Sequence, residues 1–243
     1  MTLSKRARLA GLLYFLLLPT TGFWYATGQA LMSGNAATTL ANAVVGRARF
    51  EFAIAAGAIG AIDFLLLGVV FYWLFSPSGK VASGVLLAFV AASVPIFLVA
   101  VARQMDVLSL LDQAHIVGAA GREQFQVPVL MALRSYSNLF LVTNIFSGLW
   151  LIPLGWLVYR CGFMPRVLGV LLVFGSLFYV ASFVGPVFDP RYESTMLGRT
   201  IGIVSGIPGF VGELGTILWL LIMGARERTA DAPIRVVPTS LVG

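Results

Sequence analysis

Residues 52–75 read FAIAAGAIGAIDFLLLGVVFYWLF. About 20 apolar residues in helical form cross a hydrocarbon core of roughly 30 Å, and this stretch is long enough while carrying a single acid, Asp63. An acid at bilayer depth costs roughly 2.5–3.5 kcal/mol on insertion scales, so it faces protein or water rather than lipid. Ala56 and Gly60 lead to Asp63 at helical spacing, which puts the acid on the face that other helices can approach closely. The pattern returns near the end of the chain. Gly202, Gly206 and Gly209 lead to Glu213 inside a second apolar stretch. Two buried acids on small-residue faces predict an all-α bundle lying within a membrane.

Six segments have spanning length: about 9–31, 52–75, 81–105, 129–158, 167–186 and 203–224. The whole chain agrees, with 59% hydrophobic and 11% charged residues in 243 and a mean hydropathy of +0.93. Soluble domains carry about 25% charged residues. One transmembrane domain is expected over residues 1–225, followed by a polar, proline-containing cytoplasmic tail over 226–243 that reads as disordered. Lys5, Arg6 and Arg8 ahead of an apolar run resemble the start of a signal peptide. The run continues through Phe23, Trp24 and Tyr25 without a small-residue cleavage site, so it reads as a retained first span.

Composition also narrows the function. Net charge is +6, but the basic residues are scattered around apolar segments instead of forming a groove with aromatic platforms, which argues against nucleic acid as a partner. One cysteine, Cys161, and one histidine, His115, supply too few ligands for a His/Cys zinc site or for haem held by two histidines. No metal or other cofactor is expected. The commonest nucleotide, metalloprotease and serine-hydrolase motifs are absent. The expected partners are the lipid bilayer and a small or lipidic ligand; the sequence is silent on a protein partner or homo-oligomer.

Basic residues orient the bundle. With the N-terminus inside, Lys5, Arg6, Arg8, Lys80, Arg160, Arg166, Arg226, Arg228 and Arg235 fall on the inner side. Arg47, Arg49, Arg103, Arg122, Arg134, Arg191 and Arg199 fall on the outer side. The inner turns are short and uniformly basic, so both termini are expected in the cytoplasm. Outside, Asn35 is placed to cap a short interfacial helix over 36–45. The third and fourth spans continue towards Gly118–Gly121 and would project as a hairpin beyond the bilayer, unless Pro95 or Pro128 interrupts them.

The candidate site residues follow from depth. Asp63 lies about eleven residues, ~16 Å, into its span, level with Thr20, Thr21, Asn144, Ser176 and Tyr179. It either binds a proton or ligand, desolvation favouring the neutral acid, or bonds to a neighbouring Asn or Tyr and fastens helices together. Glu213 is expected nearer the outer surface, at a tight crossing. If the outer hairpin turns near residue 120, Asp106 lies opposite Arg134 as a structural ion pair, and Arg103 is a candidate anion contact at the outer mouth. The function this supports is a non-enzymatic accessory or sensing protein with a ligand pocket near Asp63. A small proton-coupled transporter and a lipid- or isoprenoid-modifying enzyme, with Asp63 and Glu213 as acid and base, are the alternatives.

Several segments together resemble the bacterial membrane-protein family called domain of unknown function 4386. They are RLAGLLY at 8–14, GNAATT at 34–39, the acid Asp63, GWLVYRCGFMPRVLG at 155–169, and Gly212-Glu213-Leu214 followed by Leu218-Trp219-Leu220. An Asp commonly occupies the Asn35 position in that family, and a mid-helix Arg of its third span is unmatched here. The resemblance implies an integral bundle in a bacterial plasma membrane and places Asp63 and Glu213 in matched motifs. It implies no reaction.

Overall fold

Polar caps and turn residues start and stop helices whose interiors are almost wholly apolar. In the computed structural model, which describes residues 2–32, 34–189 and 191–225, Thr2 caps α1 (Leu3–Leu31) through the Lys5 amide. Asn35 caps α2 (Ala36–Val45), its Oδ1 accepting from the Thr38 amide at 2.9 Å as its side-chain chemistry predicts. Then follow α3 (Arg47–Phe75), α4 (Lys80–Ile116), a tight turn with α5 (Gly118–Gly121) and a 3-10 segment, α6 (Gln126–Arg160) and α7 (Arg166–Phe188). The last span starts at α8 (Met196–Ile201), passes through a π-helical segment (Gly202–Gly206) and ends as α9 (Ile207–Ile222). Pro208, with no amide proton to give the carbonyl four residues back, lies just after the π turn, which absorbs the break without ending the rod. The expected tail and Arg226, Arg228 and Arg235 lie outside the described residues.

Among the described residues, six helices are long and apolar enough to cross a membrane, and they form an all-α up-and-down ring. α1 packs on α3, α3 on α4, α4 on α6, α6 on α7, α7 on α9, and α9 closes back on α1. Both ends of the ring's chain path lie together, since a Cβ on Gly224 would meet Ser4 Oγ at 2.9 Å. α2 covers the opposite, far end with Thr39, Leu40 and Ala43 turned inward. α4 and α6 are continuous through 37 and 35 residues, about 55 and 52 Å, so they outreach a ~30 Å hydrocarbon core. Pro95 sits within α4 without ending it, and Pro128 falls in the first turn of α6, where a missing N–H costs nothing.

Glycines set the helix spacing. Lipid tails are as apolar as leucine, so helices associate in a bilayer chiefly by close packing. Gly175 and Gly209 meet backbone to backbone at the α7–α9 crossing, with Gly212 set against Leu171 and Leu172. Gly155 and Gly169 do the same between α6 and α7. Of the glycines expected to admit a neighbour along the last span, Gly209 does so and Gly206 meets the Phe178 ring. Gly202 faces open space.

The expected Asp106–Arg134 pair is not formed. Asp106 instead binds Arg103 of its own helix at 3.1 Å, both side chains about half exposed. Along the hairpin, Gln104, Val107 and Leu111 of α4 and Val129, Leu133 and Tyr136 of α6 are buried, and Gln104 and Tyr136 both border Gly28. Asp106 precedes a buried position and Arg134 follows one, and on antiparallel helices these ~100° steps turn the two side chains to opposite sides of the interface. The bond to Asp106 also occupies Arg103, the candidate anion contact. At the far end Arg47 joins Glu51 at 2.8 Å and Asp112 at 2.6 Å, tying α3 to α4.

A carboxyl-bearing cavity at the centre of the ring

Both intramembrane acids are buried, Asp63 at 7% exposure and Glu213 at 8%. Their surroundings differ. Glu213 receives two phenol hydroxyls, Tyr14 donating to Oε2 at 2.8 Å and Tyr179 to Oε1 at 2.9 Å. Two donors on two oxygens is an arrangement suited to a carboxylate. Because the last span begins at Met196, Glu213 lies past its midpoint towards the chain ends, and not near the far surface as expected. Asp63 follows Gly60, a helical turn away, which packs on Thr20 and Thr21. Those two hydroxyls are given to Leu16, Leu17 and their own helix, and Asp63 Oδ2 has no hydrogen-bond partner.

A cavity of about 220 Å³ opens beside Glu213, and every spanning helix contributes to its wall. α1 supplies Tyr14, Thr21 and Tyr25; α3 supplies Phe64; α4 supplies Ser93 and Phe97. α6 supplies Phe140, Thr143, Asn144, Ser147 and Trp150; α7 supplies Tyr179; α9 supplies Glu213. Thr21, Ser93 and Thr143 give their protons to carbonyls of Leu17, Val90 and Phe140 in their own helices, so they show the cavity acceptor lone pairs. Asn144 and Ser147 also line it, and neither side chain is hydrogen-bonded among the described residues. Of the expected ligand-binding residues, the structure therefore brings Glu213, Asn144 and Tyr179 together, while Asp63 does not line the cavity. Sequence reading missed Tyr14, Thr143 and Ser147. The last two, with Asn144, form a polar stripe at helical spacing inside an apolar span, which was the available signal.

Glu213, Tyr179 and Leu18 also line a second depression, of about 420 Å³, together with residues of α7, the π segment and α9. Gly202 and Gly206 of the π segment form part of it, beside the exposed side chains of Ile207 and Phe210. A carboxyl in this position can hold a donor or a cation, and the two tyrosines can hold the carboxyl. Tyr14→Phe is expected to destabilise the bundle by about 1–3 kcal/mol, because Oε2 is left buried without its donor. The double-mutant cycle with Glu213→Gln should show that loss to be largely shared. Additive effects would mean that the bond contributes nothing.

Six spanning-length helices enclosing a cavity with one buried carboxyl define a polytopic membrane protein with a candidate ligand chamber. The sequence matches the family described as Domain of unknown function (DUF4386) over residues 9–224. The chain belongs to that family. An uncharacterized protein of Archaeoglobus fulgidus is 31% identical over 94 residues, 39% of this chain and 51% of the relative, so the match spans about half of that relative's length. No solved structure matches the chain.

Proposed function

We propose that the protein is a non-enzymatic accessory or sensing component of a bacterial plasma membrane, and that it binds a small or lipidic ligand in the Glu213 cavity. The cavity itself carries this reading: an apolar chamber at the common centre of six helices, with a few convergent polar groups, is the ordinary form of a ligand site. Its volume exceeds the ~150 Å³ that accommodates benzene. A ligand bound there touches all six spans at once, so its occupancy bears on the packing of the whole ring. Cytoplasmic chain ends are supported by Lys5, Arg6, Arg8, Lys80, Arg160 and Arg166, which lie at that end with no acid among the described residues there. The bacterial assignment rests on the family resemblance.

A small proton-coupled carrier is the second reading, favoured by one observation, the buried and unpartnered Asp63 Oδ2. An acid–base enzyme using both carboxyls has less support, since Asp63 and Glu213 do not share the cavity.

Purified protein screened against lipids, quinones and metabolites tests the proposal. At a hundredfold excess over Kd, a true ligand should raise Tm by roughly 5–10 °C. Ser147→Phe, which fills the cavity, should abolish that shift, and Asp63→Asn should leave it intact. A ligand whose stabilisation survives Ser147→Phe but disappears in Asp63→Asn would move the site away from Glu213.

A further inference from the structure

We infer that the ligand is an organic ammonium on a compact apolar body. This deepens the proposed function and rests on the cavity being the ligand site. Among the residues lining the cavity, Glu213 is the one charged-type side chain, and no Lys, Arg or His accompanies it. Tyr14 and Tyr179 supply one donor to each oxygen. A carboxylate offers about four acceptor positions, so positions remain for a ligand's N–H groups. A buried carboxylate without a counter-ion is strongly disfavoured, and a bound cation supplies one.

The rest of the wall selects in the same direction. The hydroxyls of Thr21, Ser93 and Thr143 are committed to helix carbonyls, which leaves them as acceptors. An anionic ligand would find the Asn144 amide and the Ser147 and Tyr25 hydroxyls, but no cation among the lining residues. The rings of Phe64, Phe97, Phe140 and Trp150 also line it, and aromatic rings attract ammonium groups through the ring quadrupole. Carboxylate, acceptors and aromatic rings together match one chemistry: a positively charged donor on an apolar body.

Three near-isosteric probes of different charge test the inference: phenethylamine, phenethyl alcohol and phenylacetate. Each is titrated calorimetrically into the full-length protein in micelles at neutral pH, with Ser147→Phe as the blank for micelle partitioning. The amine should bind at least tenfold more tightly than the alcohol, and phenylacetate should be weakest. Glu213→Gln should erase the amine–alcohol difference. Tyr179→Phe, which keeps the carboxylate and removes one donor, should retain it and covers the case in which Glu213→Gln does not fold. Equal binding of amine and alcohol, or a preference that persists in Glu213→Gln or is lost in Tyr179→Phe, overturns the ammonium assignment while leaving the cavity as a ligand site. Failure of all three probes to bind the wild type also overturns the ammonium assignment, and the cavity is overturned with it when the lipid, quinone and metabolite screen gives no shift that Ser147→Phe abolishes.

Discussion

Gly209→Ala is expected to leave little folded protein. A methyl at position 209 would lie 2.6 Å from Gly175 Cα, and the obstacle is backbone, which no rotamer change relieves. α7 and α9 would have to separate, taking Gly212 away from Leu171 and Leu172. In a bilayer no hydrophobic term restores the contact, because the separated faces meet lipid instead of water. Overpacking costs of about 3 kcal/mol, the upper part of the usual range, are expected. The measurement is the recovery of monodisperse protein in mild detergent and its unfolding midpoint. Gly84→Ala is the control, since its Cβ would meet nothing within 4 Å, and it should shift stability by less than about 1 kcal/mol. Wild-type behaviour of Gly209→Ala would show that the crossing is looser than described.

Trp24→Ala is expected to cost about 3–5 kcal/mol. Trp24 is fully buried between α1, α3, α4 and α6, resting against Gly57, with the Phe97 and Tyr136 rings 4.5 and 5.0 Å away. Its indole N–H donates to Gln104 Oε1 at 2.6 Å, and Gln104 is itself fully buried. Truncation therefore opens a void and strands an amide whose Nε2 already lacks a partner. Trp24→Phe separates the two contributions, keeping most of the volume while losing the bond. It should cost about 1–3 kcal/mol, read from the same unfolding midpoints. Equal costs for the two variants would assign the effect to the hydrogen bond alone.

The rods were legible in the sequence and the chamber between them was not. Run length and the scarcity of charge mark each span because an unpaired charge or backbone amide is excluded from hydrocarbon, a constraint that acts locally. The overshoot of α4 and α6 and the Asn35 cap are local in the same sense. Glu213 was recognisable as a buried acid, but its partner Tyr14 is 199 residues distant, and only ring closure between α1 and α9 brings them together. Asp63 drew attention because its small-residue face is conspicuous; that face packs on α1 and leaves the acid outside the cavity wall. For Asp106 and Arg134, counting from the turn addressed only height along the hairpin. It did not settle azimuth, which depends on where each buried stripe runs.

Trp150 has a practical consequence. It lies in the cavity wall, 4% exposed, with its ring edge-on to Tyr14 at 5.6 Å and to Phe64 at 5.2 Å. Of the five tryptophans, it is the one that borders the cavity. The chamber thus contains a built-in fluorophore: an occupant changes the polarity next to one indole, and its arrival can be followed as a shift in emission without any attached dye.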